Sequence, residues 1–223
     1  MVTVLAAELE NEKRLAAEAA AELVESGMLV GLGTGSTVAH LLPALAARKL
    51  DIRCVATSVT TEAHGRELGL AVEAFEGIER LDIAIDGADQ IAPDGWLVKG
   101  GGGAHTREKV VAAAAERFVV VADSSKTVEA IRAPVPVELL RYGLAATLRE
   151  LGDAEVRADT PASPDGNVIA DYTGEVGDPA ALAARLAAAP GVIDHGLFPP
   201  SMVSEVIIGR GESAERLELI SRR

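Results

Sequence analysis

Cysteine and aromatic residues are both scarce in this chain of 223 residues. Cys54 is the only cysteine, which excludes an intrachain disulfide and a zinc site with four cysteine ligands. Within the run IRCVATS we expect it to be a small buried hydrophobic residue. Phenylalanine, tryptophan and tyrosine make up only 3% of the sequence, so the core must be built from alanine, valine, leucine and isoleucine.

Positive charge is also in deficit, since 21 Lys and Arg residues face 34 Asp and Glu residues. A chain of this kind is a poor candidate for binding nucleic acid through phosphate neutralisation. No apolar run reaches the roughly 18 residues of a membrane span. The N-terminal stretch carries acidic residues where a signal peptide has a basic segment before an apolar run. We therefore expect a cytoplasmic protein that binds neither nucleic acid nor a membrane.

Apolar runs and helical patterns alternate over the first 130 residues. The run at 118–125, FVVVADSS, begins with five consecutive apolar residues, which indicates a strand buried on both faces. It follows a segment at 106–118 whose apolar residues recur at helical spacing. Strands that alternate with helices in this way predict the α/β class, with a Rossmann-like, doubly wound and mostly parallel sheet.

Prolines punctuate the chain at 132–140, RAPVPVELL, and mark a change of texture. The predicted order after them is helix, strand, strand, helix, strand, which resembles a split β-α-β unit. We therefore expect a second, smaller α+β domain of ferredoxin-like type at 132–203. The first domain would comprise residues 1–131, and the tail at about 204–223 would return to it.

Four glycine-bearing or polar segments follow predicted strands: GLGTGST at 31–37, ATSVTT at 56–61, DGAD at 86–89 and KGGGG at 99–103. Ligands of open parallel sheets bind beyond the carboxyl ends of the strands, so we expect these segments to meet at one edge of one sheet. GLGTGST is not a dinucleotide fingerprint, because Ser36 stands where glycine or alanine is needed. It is either a strand-to-helix turn capped by Ser36 or a loop that binds a phosphate or a sugar.

The remaining segments supply charged groups. Asp86 and Asp89 either cap a turn or divide acid and base roles between them. Glu108, in the first turn of the next helix, either complements the helix dipole or acts as a base. Lys99 and the N–H groups of the glycines after it suit a negatively charged oxygen. Together these groups favour proton transfer next to a carbonyl, because a carboxylate removes a carbon-bound proton only if the resulting enediolate is stabilised.

The motifs VGLGTGSTVAH, IAIDGADQI, KGGGGAHTREK, VVADSSK, PVPVEL, GNVIAD, PGVIDHGLF and a terminal IIG resemble those of A-type ribose-5-phosphate isomerases, in the same order and over essentially the whole chain. The resemblance implies an enzyme of the non-oxidative pentose phosphate pathway. Members interconvert ribose 5-phosphate and ribulose 5-phosphate through an enediolate, with no metal or nucleotide cofactor. They are commonly homodimers or tetramers, so we expect a homo-oligomer whose partner is otherwise a small sugar phosphate.

The same resemblance implies roles for individual residues. Glu108 is similar to the family's general base, Asp86 to the acid/base group that opens the furanose ring with Asp89 beside it, and Lys99 to the group that stabilises the enediolate. The residues implied in substrate binding are Thr34, Gly35, Ser36, Thr37, Asp86, Gly87, Ala88, Asp89, Lys99, Gly100, Gly101, Gly102 and Lys126.

Two positions depart from the family pattern: Gln90 stands where glutamate is usual, and His105 where an apolar residue is usual. We expect His105 to face solvent or cap the helix; the alternative is that it bonds to the site or shifts its pH optimum. His40, His64 and His195 lack metal-ligand spacing and are expected to be structural.

Other functions use related sheets. A sugar-phosphate-sensing domain would keep the phosphate loops but could lose the catalytic acids, and it normally carries a DNA-binding helix-turn-helix. A coenzyme A transferase uses a glutamate nucleophile on a longer chain, and a nucleotide-dependent dehydrogenase is the third alternative. The presence of Asp86, Asp89 and Glu108 favours the isomerase.

Overall fold

The computed structural model describes residues 2–218 of the chain. The helices are α1 (Val2–Ala21), α2 (Ser36–Arg48), α3 (Val59–Glu67), α4 (His105–Ala114), α5 (Leu144–Leu151) and α6 (Pro179–Ala188). The strands are β1 (Leu29–Leu32), β2 (Arg53–Ala56), β3 (Ala71–Val72), β4 (Leu81–Asp86), β5 (Gln90–Ile91), β6 (Leu97–Val98), β7 (Ala115–Asp123), β8 (Val135–Leu139), β9 (Ala154–Val156), β10 (Val168–Tyr172), β11 (Val192–His195), β12 (Leu197–Phe198), β13 (Glu205–Arg210) and β14 (Ser213–Glu218).

The described residues divide into two compact units. The first comprises those within Met1–Ala88, Val110–Lys126 and Ser201–Arg223, and the second comprises Asp89–Lys109 and Thr127–Pro200. The domain boundaries expected from the sequence, 1–131 with 204–223 and 132–203, stay a prediction.

The first unit contains a seven-stranded sheet in the order β14-β13-β7-β4-β1-β2-β3. Only the β13–β14 pair is antiparallel, and every other neighbouring pair is parallel. The predicted α/β class with a mostly parallel sheet is confirmed. The tail pairs with β7 through β13, as the sequence predicted for the segment after residue 203.

The core of the first unit is aliphatic, as the scarcity of aromatic residues predicted. Alanine, valine, leucine and isoleucine from α1, α2 and the central strands form one buried cluster, with Cys54 among them. Burial raises the pKa of the Cys54 thiol to about 12. No described helix combines the length and the apolar character needed to cross a membrane.

The second unit contains a four-stranded antiparallel sheet in the order β11-β8-β10-β9. Because α5 follows β8 and α6 follows β10, the chain order is β-α-β-β-α-β, which is the split β-α-β arrangement expected from the sequence. A second sheet of three short antiparallel strands, β12-β6-β5, lies in the same unit and was not predicted.

Two local expectations were wrong. The helix predicted at 106–118 ends at Ala114, because Ala115 already pairs with Leu81 and Arg117 with Ile83 in the parallel sheet. The segment KGGGG follows β6, a strand of the three-stranded sheet, so the four polar segments do not all end strands of one sheet.

Candidate active site

Asp86 in the first unit lies at the carboxyl end of β4 and is buried. Its Oδ1 accepts hydrogen bonds from the N–H groups of Thr34, at 3.0 Å, and Gly87, at 2.7 Å. A Cβ at Gly33 would lie 1.9 Å from the same oxygen, so only glycine permits this approach. The loop after β1 and the residue after β4 therefore both fix the position of the Asp86 carboxylate.

Threonine hydroxyls connect the loop after β1 to the segment after β2. The Oγ1 atoms of Thr34 and Thr57 are 2.7 Å apart, and Thr57 is buried. Thr61 donates from Oγ1 to the Gly33 carbonyl at 2.9 Å, and Ser58 donates to Thr61. The sequence marks the segment 56–61 only by its position after a predicted strand and indicates a role for none of its residues. In the structure, Thr57 and Thr61 support the loop that carries Thr34.

The rest of this loop begins α2. The N-cap is Gly35, with φ at 122°, and Ser36 is the first helical residue and exposed, so the alternative in which Ser36 caps the helix is wrong. Thr37 is buried. Lys126 ends a one-turn 3-10 helix directly after β7, and its side chain is half-buried.

Lys99 and Glu108 form the central charged pair of the second unit. The Lys99 Nζ and Glu108 Oε2 atoms are 3.2 Å apart, and the two side chains are only 2% and 4% exposed. Glu108 lies in the first turn of α4, where its N–H donates to the carbonyl of Ala104. An ion pair taken out of water seldom adds stability, so burial of these two charges indicates a chemical role.

The turn between Lys99 and α4 is held from two sides. Asp89 accepts the Gly101 N–H at 2.7 Å, so one of the three glycine donors predicted for substrate is engaged by a carboxylate here. Arg157 donates to the carbonyls of Gly100, at 3.2 Å, and Gly101, at 3.0 Å. Gly101 and Gly102 are exposed.

Arg157 contacts the glycine turn although no sequence pattern predicts it. Its guanidinium also bonds to both carboxylate oxygens of Asp171, and that hydrogen bonding raises the pKa of Arg157. The pair fixes the fork of donors that faces the glycine carbonyls. No local pattern in AEVRAD distinguishes this arginine, because the glycines that it contacts are 56 and 57 residues away.

His105 is fully buried, so the expectation that it faces solvent is wrong. Its ring lies beneath the glycine turn: a Cβ at Gly100 would be 2.6 Å from Nδ1, and Gly100 has φ at 102°. Burial lowers the pKa of His105 to about 4. Burial likewise lowers the pKa of His195 to about 4, and its Nδ1 accepts the N–H of Leu197. Both rings are therefore neutral at pH 7.

Gln90, the other departure from the family pattern, bonds to the backbone of Arg132. Its Nε2 donates to the Arg132 carbonyl at 2.7 Å, and its Oε1 accepts the Arg132 N–H at 3.0 Å. An ionised glutamate could make only the second of these bonds. Gln90 thus ties β5 to the chain before β8.

Among the described residues, no three His, Cys, Asp or Glu side chains are grouped to hold a metal ion. The charged groups that the structure does arrange are those of proton transfer: a buried carboxylate beside a buried ammonium in the second unit, and a carboxylate anchored by two N–H groups in the first.

Comparison with known proteins identifies the family of this chain. The family model for ribose 5-phosphate isomerase A (phosphoriboisomerase A) matches residues 53–213. A relative from Caulobacter sp. (strain K31), named ribose-5-phosphate isomerase A, is 44% identical over 222 residues, which cover 93% of this chain and 98% of the relative. The crystal structure of ribose 5-phosphate isomerase A from Neisseria gonorrhoeae has a TM-score of 0.88 at 33% identity, over 93% of this chain and 96% of that one. A D-ribose-5-phosphate isomerase in complex with phospho-erythronic acid has a TM-score of 0.87 at 32% identity, over 94% and 99%. The chain therefore belongs to the ribose-5-phosphate isomerase A family.

Proposed function

We propose that this protein is an aldose–ketose isomerase that interconverts D-ribose 5-phosphate and D-ribulose 5-phosphate. The observation that carries the proposal is the buried pair of Lys99 and Glu108, with 3.2 Å between ammonium and carboxylate. It supplies a base and a stabilising charge within reach of each other, which is what transfer of a carbon-bound proton requires. Membership of the isomerase family supports the same reaction.

Glu108 is the general base of the proposed reaction. Its carboxylate removes the proton from C2 of the open-chain aldose, and the electron pair of that bond moves towards the C1 carbonyl oxygen. The C2 hydroxyl proton passes to that oxygen, and the carboxylic acid of Glu108 then returns its proton to C1, which leaves the carbonyl at C2. The Lys99 ammonium stabilises the enediolate between the two steps, where loss of one such donor typically costs about 10²–10³ in rate.

Asp86 is the proposed acid/base group for opening the furanose ring. Two N–H groups fix its Oδ1, which defines the direction of the carboxylate before substrate arrives. Asp89 is proposed to act beside it and to hold the glycine turn through Gly101. The residues proposed to bind substrate are Thr34, Gly35, Ser36, Thr37, Gly87, Ala88, Lys99, Gly100, Gly101, Gly102 and Lys126, together with the two aspartates.

The alternative functions are not favoured. The sensor domain and the coenzyme A transferase-like enzyme would be expected to give relatives of those classes, whereas the isomerase relatives match over nearly the whole chain. The reaction places the protein in the non-oxidative branch of the pentose phosphate pathway. We further propose that it acts in the cytoplasm, as a homodimer or tetramer, without metal or nucleotide cofactor.

The test is to incubate the purified protein with ribose 5-phosphate labelled with ¹³C at C1 and to follow the carbon spectrum. Conversion of the aldose C1 signal into a hydroxymethyl signal is expected for the parent protein. Glu108→Gln keeps the shape of the side chain but removes the base, so turnover should fall by at least about 10². The matched control is Glu8→Gln, at an exposed position of α1, which should convert substrate at the parent rate. An inactive parent protein, or a Glu108→Gln variant with normal turnover, would contradict the proposal.

A further inference from the structure

Phe198 is a fully buried ring on the short strand β12 of the second unit. The antiparallel register pairs it with Leu97 in β6, two residues before Lys99. Side chains two residues apart on an extended strand point to the same face, and diagonal neighbours across a ladder lie within reach of long and aromatic side chains. The hydrogen bond from the Lys99 N–H to the Gly196 carbonyl, at 2.8 Å, continues this pairing past the end of β6.

Two ammonium groups lie over the Phe198 ring. The Nζ of Lys99 is 5.4 Å from the ring centroid, and the Nζ of Lys109 is 4.9 Å from it. Both distances are within the roughly 6 Å over which the negative π face attracts a cation. Such attraction strengthens when water is excluded, and Lys99 is only 2% exposed.

Each of the two lysines also contacts its own carboxylate. Lys99 contacts Glu108, whereas Lys109 donates to Asp194 and to the carbonyl of His195. Glu108 and Lys109 are neighbours in sequence, so the two ion pairs lie close to each other. Each lysine must therefore stay with its own carboxylate. One aromatic ring that attracts both cations, at a position fixed by the β6–β12 ladder, does this without adding another charge.

We propose that Phe198 is a positioning residue for the isomerisation: its π face holds the Lys99 ammonium beside the Glu108 carboxylate, and Lys109 with Asp194 fixes the ring in place. This inference rests on the proposed function, because the position of Lys99 matters most when negative charge develops on the sugar oxygen. An aliphatic side chain at position 198 would fill the same space but would not attract either ammonium group.

The test replaces Phe198 with 4-fluoro-, 3,5-difluoro- and 3,4,5-trifluorophenylalanine. Each fluorine withdraws electron density from the π face while the ring keeps nearly the same size, so the cation–π attraction weakens in steps. We expect kcat to fall in the same steps, by about tenfold across the series, and KM to change by less than about twofold. A tenfold change corresponds to about 1.4 kcal/mol of transition-state stabilisation.

The matched control places trifluorophenylalanine at Phe75, a partly buried ring of the first unit, where kcat should not change. Thermal unfolding of every variant separates electronic effects from packing. A kcat that is flat across the series, a change in KM alone, or a loss that follows the melting temperature and not the fluorine number would overturn the role of Phe198 while leaving an active parent enzyme. An inactive parent protein in the same assay would instead overturn the proposed function and this inference with it.

Discussion

Lys126 and Glu108 illustrate two kinds of candidate residue. Glu108 is 4% exposed and paired with Lys99, whereas Lys126 is half-buried on a single 3-10 turn. A buried carboxylate beside an ammonium suits a step in which protons move, while a more accessible lysine after β7 suits attraction of a phosphate. The two residues should therefore affect different kinetic constants.

Lys126→Ala should chiefly raise KM, by about tenfold, and leave kcat within about twofold of the parent value. A group that binds substrate and transition state equally contributes uniform binding, whose loss appears in KM alone. Steady-state kinetics with ribose 5-phosphate would measure both constants, with Lys126→Arg as the variant that keeps the charge. A fall in kcat with KM unchanged would assign Lys126 to the chemical step.

His105 gives a prediction about stability against pH. Its pKa is lowered to about 4 in the folded state from the ordinary 6.5, so the folded protein binds fewer protons than the unfolded chain between these values. The free energy of unfolding should therefore decrease as the pH falls from about 6.5 towards 4, by up to about 3 kcal/mol from this residue. His195 contributes in the same direction.

His105→Leu should remove the His105 part of that decrease. Urea unfolding at pH 7.5 and pH 4.5 would measure it: the parent protein should lose more stability between the two conditions than the variant does. Leu5→Gln, at an exposed position of α1, changes no titratable group and is the control that should keep the slope of the parent. Equal slopes for the parent and for His105→Leu would mean that His105 is protonated inside the folded protein.

The candidate site residues that could be predicted from the sequence are polar residues marked by their position next to a strand or a helix start. Asp86, Asp89, Lys99 and Glu108 follow strands or begin a helix, and the proximity of Lys99 to Glu108 could be expected from the reaction. Arg157 could not be found in the same way, because its partners are distant in the sequence and its side chain makes no repeated pattern. His105 is buried because its ring packs against Gly100, where there is no side chain. The spacing of residues in the sequence does not predict this contact.

At the scale of elements, the glycine turn before α4 joins backbone conformation to chemistry. Gly100 combines φ at 102° with a position where any Cβ would meet the His105 ring at 2.6 Å. The turn needs glycine at this position for two reasons: the positive φ, and the absence of a Cβ where the buried His105 ring packs against the backbone. Four consecutive glycines therefore set the path of the chain between Lys99 and Glu108.

Gly100→Ala should reduce both stability and kcat. The left-handed conformation alone costs an alanine of order 1 kcal/mol, and displacement of the His105 ring adds to it, for a total of about 2–4 kcal/mol. The control is Gly177→Ala, where φ is 56° but no atom lies within 4 Å of the new Cβ. It should lose about 1 kcal/mol and keep normal kcat. If the two variants behave alike in urea unfolding and in kinetics, the contact with His105 has no role.

Long apolar strands were easier to predict than short ones. The buried residues of β7 and β13 form continuous runs, which indicate a parallel sheet covered on both faces. β5, β6 and β12 have two residues each. Although KGGGG follows a predicted strand, runs this short show no periodicity from which the pairing of these three strands in one sheet could be predicted. Helix α1 was not predicted. Its buried face consists largely of alanine, at 16, 17 and 20, and alanine gives a weak apolar pattern.

For the whole molecule, the order of helices and strands could largely be predicted from the sequence, because each unit follows a common connection rule. Alternating strands and helices predicted the parallel sheet, and the later predicted order of helix, strand, strand, helix and strand, which resembles a split β-α-β unit, predicted the antiparallel one. Asp89–Lys109 belong to the second unit although they lie in the chain between β4 and β7, which are neighbouring strands of the first unit's sheet. Sequence position does not reveal such an excursion.

In the proposed reaction, the protein moves a proton between adjacent sugar carbons by way of a carboxylate. Incubation of the purified protein with ribose 5-phosphate in D₂O tests it most directly, because a carboxylate that holds the abstracted proton exchanges it with solvent. We expect ribulose 5-phosphate that carries deuterium on C1, detected by proton NMR. A sugar phosphate recovered unchanged, with no deuterium on carbon, would show that this proton transfer does not occur.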